Sequence, residues 1–146
     1  MGRMTLSAAM LLLLAGCEEP FIVFPGGELS GEQSAVPEDW SQLVSIDTVQ
    51  LETRMDDPYS VNIWAAGAGK DLYVATGEDG TNWTKHIADD PAVRLRSYSN
   101  VYALSARLVE EPAERARAAQ AFVGKYDLEV DDNWVLEGMI FRLDRR

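Results

Sequence analysis

Ala92-Val93-Arg94-Leu95-Arg96-Ser97-Tyr98 alternates apolar and polar residues, Ser99-Asn100 turns the chain, and Val101-Tyr102-Ala103-Leu104-Ser105-Ala106-Arg107-Leu108-Val109 alternates back. Successive side chains of a strand point to opposite faces, so alternation of this length marks two strands that are buried on one side only. The pair reads as a long antiparallel hairpin, with Val93 and Leu95 on one face and Arg94 and Arg96 on the other.

The same reading extends outward in both directions. Residues 46–53 alternate with period two, Asp56-Asp57-Pro58 makes a turn, and residues 59–64 alternate again. Gly67-Ala68-Gly69-Lys70-Asp71 has the composition of a hairpin loop leading to a strand at 72–76. Gly77-Glu78-Asp79-Gly80 is a second turn, after which Thr81 or Asn82 caps a short helix from Trp83 to about Ala88, ended by Asp90-Pro91. Upstream, Pro37 at a first helical position with acids behind it predicts one short helix over 37–44. Downstream, Glu111-Pro112-Ala113-Glu114 opens the best helix of the chain, which carries Ala118 and Phe122 on one face and stops at Gly124. A last strand is expected over 136–143. Six strands with three short helices between them place the domain in the α+β class, as a small antiparallel barrel with helical inserts.

The first 36 residues are of another kind. Arg3 precedes an apolar run from Met4 to Leu14, with no acid before Glu18. A helix needs roughly 20 apolar residues to cross a bilayer; this run is shorter and has the order of a signal peptide. It ends in Leu14-Ala15-Gly16-Cys17, which resembles the lipobox of bacterial lipoproteins. That resemblance implies a cleaved signal peptide over 1–16 and acyl chains on Cys17, the one cysteine of the sequence. Several acyl chains, at about 0.8 kcal/mol per buried methylene, hold a protein firmly at a membrane. The expected address is extracytoplasmic, lipid-anchored to a bacterial cell membrane. Residues 17–36, rich in Gly, Pro, Ser and Glu apart from Phe21-Ile22-Val23-Phe24, read as a flexible tether, and 37–146 as the barrel domain.

Composition narrows the function classes. Removing residues 1–16 leaves 12 basic against 24 acidic residues, which opposes nucleic acid and anionic lipid surfaces as partners. Without a free thiol the processed chain has no disulfide, thiolate metal site or cysteine nucleophile. One histidine cannot make the usual zinc sets, and no Gly-x-Ser-x-Gly elbow accompanies it. Gly69-Lys70 lacks the first glycine and the Ser or Thr of a phosphate loop. The pairs Asp56-Asp57, Asp89-Asp90 and Asp131-Asp132 lack calcium-loop spacing and read as solvated turns. Trp83 reads as a core anchor.

The segment Leu72-Tyr73-Val74-Ala75, then Trp83-Thr84-Lys85-His86-Ile87-Ala88-Asp89-Asp90-Pro91-Ala92-Val93-Arg94-Leu95, resembles the split β-barrel flavin- and deazaflavin-binding superfamily, in particular its nitroreductase and quinone-reductase branch. Glu111-Pro112-Ala113-Glu114-Arg115 and Tyr126 also fit, so that the resemblance covers about residues 46–144. It implies a split barrel and a flavin (FMN) or deazaflavin ring lying on it, with Arg54, Lys85, His86 and Arg96 positioning the cofactor. It also implies that the chain can form a homodimer. Where the family has a Gly-Arg-Lys-Ser-Gly loop, this chain reads Thr53-Arg54-Met55-Asp56-Asp57-Pro58-Tyr59-Ser60. Two carboxylates beside a phosphate repel it. The altered loop, the acidity and the export favour a small-ligand or partner binding module of the cell envelope without catalysis. The alternative is a flavin- or deazaflavin-dependent oxidoreductase.

Overall fold

A computed structural model describes residues 26–42, 44–129 and 134–146. Cys17, Phe21–Phe24 and Asp131-Asp132 lie outside them. In chain order the elements are β1 (Glu32–Gln33), β2 (Val49–Thr53), β3 (Tyr59–Ile63), β4 (Ala65–Ala68), β5 (Asp71–Thr76), α1 (Asn82–Asp89), β6 (Ala92–Ser97), β7 (Asn100–Leu108), α2 (Pro112–Tyr126), α3 (Trp134–Glu137) and β8 (Met139–Arg145). The strand path runs β3-β2-β6-β7-β8-β5-β4, antiparallel throughout, with β1 added in parallel to one end of β7. β3 and β4 end this path, yet a single residue, Trp64, joins them. The sheet must therefore curl until its two edges approach each other. The result is the split antiparallel barrel of the α+β class.

The hairpin of β6 and β7 forms as its alternation predicts. Val93 and Leu95 are fully buried and face Leu104 and Tyr102 in register. With Val49, Leu51, Trp40, Trp83, Phe141 and Leu143 they fill the barrel. Trp83 is indeed a core anchor, edge-on to Phe141 at 5.5 Å between ring centres. A second apolar cluster lies under α2, where Ala118, Ala119 and Phe122 pack on Tyr73 and Ile140.

Several expected elements change. The segment 37–44 makes one turn (Val44 N–H to Trp40 C=O, 3.1 Å) instead of a helix, because Trp40 N–H is taken by Gly69 C=O at 2.8 Å and its ring is drawn into the barrel. Most of the predicted loop at 67–71 is strand: β4 pairs with β5, and only Gly69-Lys70 turn. Gly67 permits this, since a Cβ there would lie 2.8 Å from the Trp40 backbone. α2 continues through Gly124 to Tyr126 and ends at Asp127 in the left-handed region, φ 51°. Glycine costs a helix roughly 1 kcal/mol, which the packing of Tyr126 offsets. The last strand starts at Met139, not Leu136, which belongs to α3.

The largest change concerns the predicted tether. From Gly26 onward it is laid across the outer face of the barrel. Gly26 exchanges backbone hydrogen bonds with Ser60 on β3, 2.8 and 2.9 Å. Leu29 is buried and its N–H donates to the Glu52 carboxylate on β2. Glu28 reaches Arg94 on β6 at 3.3 Å, and Glu32 and Gln33 pair with Asn100 and Val101 on β7. This strap covers Glu52, which is 0% exposed and held by Arg94 through two bonds of 2.7 and 2.9 Å. A polar composition hides such a segment from sequence reasoning, because its attachments are backbone groups and one buried ion pair.

Candidate functional site

Where the two sheet edges converge, a cleft of about 370 Å³ opens between β3, β5, α1 and α3. Tyr59, Trp64, Trp83 and Trp134 are its aromatic walls; Asn62, Thr76 and Thr81 supply its polar atoms; none of its described lining residues is charged. Trp64, 37% exposed, carries the most accessible ring. It is held from behind: Tyr126 stacks on it at 4.1 Å and 10°, and Trp134 meets it edge-on at 5.7 Å. Phe122 stacks in turn on Tyr126 at 6.0 Å, so an aromatic series runs from α2 to the cleft.

Hydrogen bonds fix that series. The Tyr126 hydroxyl donates to Asp47 C=O at 2.8 Å and accepts from Ala65 N–H at 3.2 Å. Lys125 Nζ donates to Ala65 C=O at 2.6 Å and lies 4.6 Å from the centre of the Tyr126 ring. Burial lowers the Lys125 pKa to about 8, against a smaller upward pull from Asp47. Burial also raises the Tyr126 phenol. Pockets for small molecules commonly have about this size and lining, mostly apolar and aromatic walls with a few placed polar groups.

One end of the cleft carries two of the four residues expected to position a cofactor. His86, on α1, sets its ring edge-on to Tyr59 at 4.9 Å and shares a 2.9 Å hydrogen bond between Nδ1 and the Thr53 hydroxyl. Burial, helped by the Arg54 charge, lowers its pKa below the ordinary imidazole value. Arg54 places its guanidinium 5.5 Å from the centre of the same Tyr59 ring and pairs with Asp57 at 3.2 Å. Its φ of 56° turns the chain out of β2. Asp57, one of the two carboxylates of this loop, thus engages its one cation. Lys85 is exposed on α1 beside His86.

Arg96 does not join them. It stands on the outer face of β6, opposite Gln50 and Val101 in register, and donates to Ser30 C=O at 3.1 Å. Arg94, on the same face, is committed to Glu52. The sequence singles out Arg54 and His86, which the fold brings together at the Tyr59 ring, and it does not single out the cleft walls. Tyr59 and Trp64 belong to an expected strand, but no spacing in the sequence brings Trp134, far along the chain, against them.

A second polar cluster lies away from the cleft. Glu114 of α2 accepts from Arg107, Arg142 and the Tyr73 hydroxyl at 2.9–3.3 Å, and Arg117 reaches the Tyr73 hydroxyl at 2.7 Å and Asp71 at 2.6 Å. Burial works to raise the Glu114 pKa, but the guanidinium groups around it bring it below the ordinary value. Every acid here has a cation, and the cluster ties α2 to β5, β7 and β8.

No protein-family model and no curated protein matches the sequence. Solved structures do. A candidate 5-nitroimidazole antibiotic resistance protein of Bacteroides thetaiotaomicron superposes with a TM-score of 0.58 at 13% identity, over 75% of this chain and 81% of that one. A candidate pyridoxamine 5'-phosphate oxidase of Listeria innocua gives 0.54 at 16% identity, over 69% and 85%. An FAD-binding protein of Mesorhizobium loti gives 0.54 at 13%, over 72% and 86%. At such identities the likeness establishes the fold alone, an antiparallel split barrel.

Proposed function

We propose that the chain is a small-ligand-binding module, held at the outer side of a bacterial cell membrane by a lipid on Cys17, that takes a planar, uncharged aromatic molecule into the cleft without transforming it. One observation carries this reading: the cleft has four aromatic walls and no charge among its described lining residues, while the adjacent Arg54 is neutralised by Asp57. A flavin ring fits such walls by stacking. A flavin phosphate does not gain a free cation from the loop, and in a chain of net charge −11 it meets a repulsive field. The split-barrel neighbours, one of them FAD-binding, support the ring-binding half of the proposal.

The test uses the full chain, titrated with riboflavin and with FMN while tryptophan fluorescence is followed. Riboflavin is expected to quench with micromolar affinity and to bind about tenfold tighter than FMN, a difference of about 1.4 kcal/mol. Trp64→Ala should weaken both. The opposite order, with FMN tighter and its binding lost on Arg54→Ala plus Lys85→Ala, would establish the oxidoreductase reading instead. For the address, Cys17→Ser expressed in a bacterium should move the protein from the membrane fraction to the soluble fraction and abolish labelling by an alkyne fatty acid. A labelled Cys17→Ser variant refutes the anchor.

A further inference from the structure

Two polar rows cross the outer face of the barrel side by side. Strand register places Ser60, Glu52 and Arg94 in the first, and Asn62, Gln50 and Arg96 in the second. The strap occupies the first row: Gly26 pairs with Ser60, Leu29 with Glu52 and Glu28 with Arg94. Among the described residues its one hydrogen bond to the second is at Ser30 C=O, which accepts from one nitrogen of Arg96. Beside that contact lies a cavity of about 300 Å³ lined by Gln50, Asn62, Arg96, Tyr98, Thr48 and Ile46, among others.

Three features distinguish this cavity. Its one charged residue among the described lining is a cation, on a chain of net charge −11. The Gln50 Oε1 atom is buried and has no hydrogen-bond partner among the described residues, which costs a protein free energy unless a donor arrives. Tyr98, at the rim, is 57% exposed and sits in the left-handed region at φ 54°. That conformation is costly for a side chain with a Cβ, and such strain collects at functional positions. Asparagine or glycine would form the same two-residue turn more easily.

We propose that this cavity binds a small carboxylate that carries a hydroxyl or amino group on the neighbouring carbon. The remaining nitrogens of Arg96 hold the carboxylate, as Arg94 holds that of Glu52 one row away. A change in the Gln50 side-chain torsions brings Oε1, which has no donor among the described residues, into the cavity, where it accepts from the hydroxyl or amine, and the Tyr98 ring covers the ligand. The site adjoins the aromatic cleft through Asn62, which lines both, whereas Gln50, Arg96 and Tyr98 line this cavity and not the cleft, so that the Gln50 amide reports binding here.

The test follows the side-chain amide signals of Gln50 and Asn62 by NMR as the full chain is titrated with lactate, alanine and propionate. Lactate or alanine should shift both signals saturably at millimolar concentration and bind about fivefold tighter than propionate. Arg96→Gln should abolish the shifts while leaving the thermal midpoint nearly unchanged. Tyr98→Asn should weaken binding yet raise the midpoint by a few degrees, since it relieves the backbone strain. Propionate binding as well as lactate, shifts that persist in Arg96→Gln, or no shift with any of the three at about 50 mM, far above the expected millimolar range, would each overturn the proposal.

Discussion

Arg94→Ala is expected to destabilise the chain by about 3–5 kcal/mol, lowering the thermal midpoint by roughly 10–20 °C. The Glu52 carboxylate is fully buried, and Arg94 supplies two of its hydrogen bonds. With the guanidinium gone, the buried carboxylate keeps the Leu29 N–H as its one partner among the described residues. The loss reflects that stranded carboxylate more than the value of the pair itself. Replacing both partners by leucine should therefore cost less than Arg94→Ala alone, a non-additivity that thermal melts of the three variants measure directly. Because the strap rests on this pair, Arg94→Ala should also speed amide exchange between Gly26 and Gln33 before the rest of the barrel opens. A midpoint within about 3 °C of the parent, less than 1 kcal/mol for a domain of this size, would show that water reaches Glu52 and that the strap is dispensable.

The strap also marks the boundary of what the sequence discloses. The β6–β7 hairpin was legible because its buried face is written in every second residue, Val93, Leu95, Tyr102 and Leu104. Residues 26–34 hold one buried apolar side chain, Leu29, amid Gly, Glu and Ser, and most of their attachments are made by backbone groups that carry no residue code. β4 escaped for a related reason. Gly67-Ala68, read by composition as the start of a loop, belongs to a strand because β5 supplies a partner edge and Gly67 lets the Trp40 backbone come close.

The candidate site divides along the same line. His86 stands in the run that carries the resemblance and Arg54 in the loop that departs from it, and both touch Tyr59, a wall of the cleft. Alternation put Arg96 on the correct face but could not tell what that face meets: a strap residue and a second cavity instead of the cleft. Trp64, Tyr126 and Trp134 come together only through the curl of the sheet, which no local pattern encodes.

Gly138→Ala should have the second large effect, about 3 kcal/mol of lost stability together with loss of riboflavin binding. A Cβ at this position would lie 2.1 Å from the Thr76 carbonyl oxygen and 2.8 Å from that of Trp134. Both obstacles are backbone atoms, so no side-chain rotation relieves the overlap; β5, α3 or β8 must shift. Thr76 and Trp134 are also walls of the cleft. Moreover, Gly138 C=O accepts from Arg115 at 2.8 Å, and the same side chain holds Val109 C=O at 2.9 Å. Displacing residue 138 thus loosens α2 as well, and α2 carries the Tyr126 ring that backs Trp64. Gly124→Ala provides the control: Gly124 is exposed on α2, a Cβ added there would meet nothing within 4 Å, and alanine should add about 0.5–1 kcal/mol. Melts and riboflavin titrations of the two variants separate steric crowding at one glycine from a general effect of added methyl groups. If Gly138→Ala melts with its parent and keeps its affinity for riboflavin, the approach of Gly138 to Thr76 does not shape the cleft.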